Sequence, residues 1–121
     1  MSAAQIGLGR IVFGVAALLA PGLFARIQGF PDEQNTTTAQ TWTRLFGIRD
    51  VILGVMALNP PEDAERRRRF YMLNAAVDAG DAASFALPLI RREGVARGAA
   101  VGVLVASSAT LTWLRLANDG G

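Results

Sequence analysis

Four charged side chains interrupt otherwise apolar stretches of this sequence, and two of them have a spacing suited to acid–base chemistry or to ion pairing. Asp78 and Asp81 are three residues apart, which places both carboxylates on one face of a helix. Two neighbouring carboxylates in an apolar setting repel each other, so one holds a proton unless arginine neutralises both. Such a pair supplies an acid and a base for catalysis, or it binds arginine. Arg49 and Asp50 are the other two charges, in the preceding apolar stretch.

The same helix face continues as a polar track. Asn74 lies one turn before Asp78, and Tyr71 lies one turn before Asn74. Asp78 and Asp81 are therefore the candidate catalytic residues. The predicted polar core has seven members: Arg10, Arg49, Asp50, Asn74, Asp78, Asp81 and Arg97.

Composition narrows the chemistry available to these residues. The chain has no cysteine and no histidine, which removes thiol catalysis, thiolate metal sites and the commonest general base. We expect no metal site and no cofactor. The net charge of +2 is too small to indicate nucleic-acid binding.

The elements that position the charges have the composition of membrane helices. A soluble amphipathic helix carries a polar face opposite its apolar stripe, but residues 11–24 and 98–106 contain no polar side chain. A chain of 121 residues cannot cover two such helices with other protein. A charge at bilayer depth costs about 2.5–3.5 kcal/mol, so it normally points into the protein. The alternative is a soluble all-α bundle, or a subunit of an obligate hetero-oligomer.

The sequence therefore predicts an all-α integral membrane bundle of four transmembrane helices in a single domain over residues 1–121. Pro21 is expected to bend the first helix, and Asn59 is expected to cap the third. Trp42 and Trp113 are expected to lie at the membrane interfaces. The predicted helices span residues 4–27, 41–58, 61–90 and 95–117.

Helical rise gives each charge a depth. At about 1.5 Å per residue, Arg10 and Asp78 lie about 9 and 12 Å from one face of the bilayer. Arg49 and Asp81 lie about 10 and 14 Å from the other face. The depths predict the ion pairs Arg10–Asp78 and Arg49–Asp81. Asp50 has no partner at its own depth, and Arg97 is its predicted partner. These pairs either fix helix register or serve a function such as head-group binding, proton movement or acid–base chemistry.

A ridge of small residues marks the fourth helix. Its members recur every four residues, which permits close approach of another helix. The third helix carries a matching series in Ala76, Gly80 and Ser84, so the two helices are expected to pack together. The alternative is that the ridge binds a second copy of the chain or another membrane protein. The ridge consists of Gly94, Gly98, Gly102 and Ala106.

Arginine placement predicts the orientation. Residues 66–69 are four consecutive arginines, so the 59–69 connection and both termini are expected in the cytoplasm of a multi-pass cell-membrane protein. Arg91, Arg92 and Arg97 lie at the opposite end and oppose this orientation.

The string Arg44-Leu-Phe-Gly47-Ile-Arg49-Asp50, followed by Asp78-x-x-Asp81, resembles a family of uncharacterised small four-span membrane proteins of actinobacteria and fungi. The resemblance covers most of the chain and implies no known activity. The general layout is also similar to the DoxX-like group, some of which are subunits of membrane oxidoreductase assemblies. Without cysteine or histidine, a redox role for this chain itself is not expected.

Three functions follow from these features. The first is an accessory or small-ligand-binding membrane subunit that is not an enzyme, with the lipid bilayer as its partner and buried ion pairs holding the bundle. The second is a membrane isomerase or hydrolase of a lipid-like substrate, which requires a cavity beside Asp78 or Asp81. The third is a proton-linked carrier that works as a dimer through the fourth helix.

Overall fold

The computed structural model describes residues 1–119, and no strand occurs among them. The all-α class is therefore confirmed for this part of the chain; residues 120 and 121 of the predicted domain lie outside it. A short 3₁₀ turn, Asp32–Gln34, precedes the third helix. The helices are α1 (Ala3–Leu19), α2 (Pro21–Gln28), α3 (Thr37–Leu58), α4 (Ala64–Ile90) and α5 (Ala96–Asn118).

The predicted first helix is two helices. α1 ends at Leu19, Ala20 leaves the helical conformation with φ −140° and ψ 64°, and Pro21 is the first residue of α2. Proline lacks an N–H and fits the first turn of a helix, where that donor has no partner. The predicted bend at Pro21 is thus a complete break. Gly29 ends α2 with a φ of 109°, a left-handed conformation that favours glycine.

Two helix starts differ from the prediction because other side chains cap them. α3 begins earlier than residue 41, since the Thr36 hydroxyl accepts a hydrogen bond from the Ala39 N–H at 3.2 Å. α4 begins at Ala64, since the Asp63 carboxylate accepts from the Arg66 N–H at 2.9 Å. Asn59 was expected to hold that role, but it closes α3 instead.

α1 and α3 pack in close contact through reciprocal glycines. A Cβ built on Gly54 would lie 2.5 Å from the Gly7 carbonyl oxygen, and one on Gly14 would lie 2.6 Å from the Gly47 carbonyl oxygen. No side chain fits at these distances, so the two backbones touch directly. The order of the contacts makes the helices antiparallel. Helices that approach this closely gain weak Cα–H···O contacts.

α4 and α5 form the second pair, as the small-residue ridge predicts. Gly102 of α5 accommodates the ring of Phe85, whose Cγ would lie 2.4 Å from an added Cβ. Ala99 and Ala106 are buried on the same face of α5. The interface therefore places a phenylalanine ring in a notch left by glycine.

Four residues of the predicted packing surfaces are exposed instead. The series Ala76, Gly80 and Ser84 is exposed, and a Cβ on Gly80 would meet nothing within 4 Å. Gly94 is exposed in the turn before α5, where its φ of 84° requires glycine for conformational reasons. The ridge-to-ridge contact was therefore wrong, although the helix pairing was right. A partner bound through α5 stays a prediction.

Many large aliphatic side chains are exposed, and most of the buried hydrophobic residues are small. Apart from Ile6, Tyr71 and Trp113, the buried hydrophobic residues of the described chain are all alanine. On composition and length, α5 is long and apolar enough to cross a membrane, and α1 is a shorter apolar helix. Exposed aliphatic side chains occur on every α-helix, among them Val12, Ile27, Ile52, Leu73, Leu104 and Leu111.

Candidate functional site

The interior charges lie where the two helix pairs meet. α1 and α3 form one pair and α4 and α5 the other, and the backbones of the two pairs approach each other at few points. Long side chains bridge that gap. Arg10 points into it from α1 because it follows Ile6 and Gly7 on the buried stripe of that helix.

Arg10 binds carboxylates on two other helices. Its Nη1 donates to Asp50 Oδ1 of α3 at 2.8 Å, and its Nη2 donates to Asp78 Oδ1 of α4. All three side chains are at least nine-tenths buried. Hydrogen bonds between ionised groups are about twice as strong as neutral ones, and burial protects them from screening. Arg10 therefore ties α1 to both α3 and α4.

Arg49 forms a second, less buried pair. Its Nη1 and Nη2 donate to the two carboxylate oxygens of Asp81, at 3.1 and 2.6 Å, in the two-pronged geometry that guanidinium favours. Its Cζ lies 5.0 Å from the centre of the Phe46 ring. Nη2 is also 3.9 Å from Asp50 Oδ1. The five charges thus form one continuous network, which we call the interior network: Arg10, Arg49, Asp50, Asp78 and Asp81.

The structure forms both ion pairs that the depth estimate predicts, Arg10–Asp78 and Arg49–Asp81. The predicted partner of Asp50 was wrong. Asp50 binds Arg10, whereas Arg97 is exposed in the first turn of α5, with its aliphatic stem against Gly29. Arg97 is therefore not part of the polar core.

The polar track on α4 is buried, and it continues onto α5. The Asn74 Nδ2 donates to the Phe70 carbonyl at 2.9 Å, while its Oδ1 has no hydrogen-bond partner. Asp78 Oδ2 likewise has none. The indole N–H of Trp113 faces the Asp78 carboxylate without making a hydrogen bond of standard geometry. The Trp113 and Tyr71 ring centres are 5.7 Å apart.

Trp113 is the interior residue that the sequence prediction missed. It was expected at a membrane interface, but it is fully buried. Its position carried a signal: it lies seven residues after Ala106, and so two turns further along the buried stripe of α5. The preference of tryptophan for membrane interfaces and this spacing lead to opposite predictions, and the spacing predicts the observed position.

Two cavities lie at opposite ends of the molecule. One, of about 420 Å³, is lined by residues that include Arg68, Tyr71 and Asn118. The other, of about 260 Å³, is mainly aromatic, and neither contains Asp78 or Asp81 in its lining. Within residues 1–119, no three metal-ligating side chains come together. We call the second cavity the aromatic cavity; it is lined by Phe24, Ala25, Gln28, Phe30, Trp42, Thr43, Phe46 and Phe85.

Comparison with known proteins gives one finding. A family model described as a domain of unknown function, DUF4267, matches residues 7–117. The chain belongs to the DUF4267 family. The match covers the two helix pairs of the DUF4267 domain except for the first four residues of α1 and the last residue of α5, and it contains the whole interior network. No curated protein and no solved structure matches the chain.

Proposed function

We propose that this protein is a four-span integral membrane protein that serves as an accessory or small-ligand-binding membrane subunit. Its interior network holds two helix pairs together within the bilayer. The observation that carries the proposal is the inverted distribution of side chains, with charges inside and large aliphatic residues outside. A water-soluble protein places most Leu, Ile and Val side chains in its core. Lipid-embedded helices instead pack through small residues and expose aliphatic ones.

The charges on α3 and α4 are compatible with spans. Arg49, Asp50, Asp78 and Asp81 all bind one another or Arg10 inside the molecule, so the ionic groups are paired and need not meet lipid alone. A criterion based on composition alone selects α5 and not α3 or α4, because it counts their charged residues without considering that these are paired. This supports α3 and α4 as spans beside α5.

The first span combines two helices. α1 has 17 residues, so it is about 26 Å long at about 1.5 Å per residue. That is slightly shorter than a hydrocarbon core of about 30 Å. α2 continues the apolar segment, with Leu23 and Ile27 exposed. The break before Pro21 therefore falls near one face of the bilayer.

The aromatic cavity is the proposed ligand site. Its five aromatic rings suit an apolar molecule, and Gln28 and Thr43 supply polar groups for orientation. It lies beside the Arg49–Asp81 pair, because Phe46 contacts Arg49 and Phe85 follows Asp81 by one helical turn. The likeness to the DoxX-like group, with its accessory subunits, stays a prediction that is consistent with this role.

The enzyme alternative has less support. An isomerase or hydrolase that uses Asp78 or Asp81 requires substrate space beside those carboxylates. Both carboxylates are occupied by arginine, and neither of the two cavities described above has Asp78 or Asp81 in its lining. The carrier alternative requires a dimer.

A single substitution distinguishes lipid from water as the surroundings. Leu104 is 68% exposed in the middle of α5. Leu104→Arg should be nearly neutral in water but should cost about 2.5–3.5 kcal/mol at the centre of a bilayer. We expect Leu104→Arg to abolish recovery of the protein from detergent-solubilised membranes. Asn118→Arg, at the exposed end of the same helix, is the control and should be recovered normally. Equal recovery of both variants in a soluble fraction would reject the proposal.

The ligand site is tested by mass spectrometry of molecules that copurify from native membranes. Thr43→Trp adds an indole to the aromatic cavity and should exclude its occupant. Ala64→Trp adds an indole to the other cavity, and it should leave the molecule in the aromatic cavity bound. An identical set of small molecules on the wild type and on both variants would remove the ligand-binding role.

A further inference from the structure

The interior network has more carboxylates than cations. Arg10 of α1 and Arg49 of α3 face Asp50 of α3 and both Asp78 and Asp81 of α4, while α5 contributes only the uncharged Trp113. Three carboxylates against two guanidinium groups leave one negative charge without a cation. An unpaired charge in an apolar interior is costly, so a third positive species is needed there.

Hydrogen bonding identifies the carboxylate with the least support. Asp50 Oδ1 lies 2.8 Å from Arg10 Nη1 and 3.9 Å from Arg49 Nη2. Both oxygens of Asp81 receive hydrogen bonds from Arg49. Asp78 receives one hydrogen bond, on Oδ1, and its buried Oδ2 receives none.

A second buried acceptor lies on the same helix face. Asn74 is 2% exposed, and its Oδ1 has no donor. Its amide nitrogen donates a hydrogen bond to the Phe70 carbonyl oxygen at 2.9 Å. Exchanging the amide oxygen and nitrogen would place two acceptors opposite each other and break that hydrogen bond. Residues four apart on a helix are neighbours, with Cβ atoms about 5–6 Å apart. Asn74 and Asp78 are therefore neighbours on one face of α4, and neither Asn74 Oδ1 nor Asp78 Oδ2 receives a hydrogen bond.

We propose that the interior network binds one exchangeable proton, carried on Asp78 Oδ2 and donated in a hydrogen bond to Asn74 Oδ1. The proton converts Asp78 from carboxylate to carboxylic acid, with Oδ1 still accepting from Arg10. It satisfies both orphaned oxygens and cancels the excess negative charge. The proposal rests on the proposed function, because a surrounding lipid bilayer prevents water from forming hydrogen bonds with these two oxygens.

Infrared difference spectroscopy of the protein in nanodiscs tests the assignment. A protonated carboxylic acid has a C=O stretch that is separate from the amide bands and shifts in D₂O. We expect this band in the wild type at neutral pH and its loss in Asp78→Asn. Glu65→Gln, which removes an exposed carboxylate outside the interior network, is the control and should retain it. Asn74→Leu removes the acceptor and should move the band to higher frequency.

Two results would overturn the proposal. No acid band in the wild type means that all three carboxylates are ionised and that water serves the two oxygens. A band that survives Asp78→Asn means that the proton resides elsewhere. Should Asp78→Asn not fold, Asp78→Glu must shift the frequency of the band instead. Failure of the proposed function is distinguishable, since it appears as recovery of Leu104→Arg in a soluble fraction, whereas a membrane-integrated protein without the band rejects the proton alone.

Discussion

At the residue scale, Arg10 is the cation on which the interior network depends. It is buried, and it binds Asp50 and Asp78 on two different helices. Arg49 is 39% exposed and makes its close ion pair with Asp81 alone. The two arginines therefore differ in what is left behind when one is removed.

We expect Arg10→Gln to destabilise the protein by about 3–5 kcal/mol, because it leaves buried carboxylates without their cation. Arg49→Gln is the matched control and should cost less, because Asp50 and Asp78 keep Arg10 and only Asp81 loses its close cation. Thermal unfolding in detergent measures both. Adding Asp50→Asn to Arg10→Gln should restore part of the loss. Equal effects of the two arginine variants would contradict this ranking.

The ion pairs could be predicted because helical rise fixes the depth of a residue. That calculation is sufficient for Arg10–Asp78 and Arg49–Asp81, which lie at matching levels on different helices. It fails for Asp50, whose partner depends on how α3 is rotated about its own axis. Rotation follows from the packing of the neighbouring helix, and the sequence gives no measure of it.

At the element scale, the α1–α3 contact depends on glycine. We expect Gly54→Ala to cost about 1–3 kcal/mol, because its methyl group would lie 2.5 Å from the Gly7 carbonyl oxygen and would push the helices apart. Gly9→Ala is the control, since a Cβ there meets nothing within 4 Å. It should stabilise α1 by up to about 1 kcal/mol through helix propensity.

The midpoint of thermal unfolding is the measurement for these variants as well. A fall for Gly54→Ala with a small rise for Gly9→Ala is the expected result. Similar shifts for the two variants would mean that the helices do not touch at Gly54.

The sequence contained the signal for this contact. Gly7 and Gly14 are seven residues apart, as are Gly47 and Gly54, and seven residues make two helical turns. Four-residue spacing marks the ridge on α5, whereas the α1–α3 contact follows this seven-residue spacing. The break at Pro21 was predicted only as a bend, because proline within a helix and proline at the start of one look alike in sequence.

At the scale of the whole molecule, the predicted orientation can be measured directly. The chain has no cysteine, so each introduced cysteine is the only thiol. With the 59–69 connection in the cytoplasm, Glu62→Cys should react with a membrane-impermeant maleimide only after cells are permeabilised. Glu93→Cys, in the turn between α4 and α5, is the matched position at the other end and should react in intact cells.

Reaction of Glu62→Cys in intact cells would reverse the orientation. Reaction at both positions in intact cells would mean that both orientations occur. Without the interior Arg10 and Arg49, five arginines lie at each end of the bundle. The total count of arginines therefore favours neither orientation. One end has Arg66 to Arg69 and Arg115; the other has Arg26, Arg44, Arg91, Arg92 and Arg97.

The division of charge between the two helix pairs has a consequence for how the protein is made. The first pair, complete at Leu58, supplies both guanidinium groups and one carboxylate of the interior network, and the second pair supplies two carboxylates. Neither pair is neutral by itself, so in the proposed membrane arrangement the half that leaves the ribosome first carries one uncompensated positive charge into the bilayer. Its positive charge is neutralised only when α4 supplies Asp78 and Asp81. Premature termination after Leu58 therefore yields a fragment whose two arginines lack the carboxylates of α4.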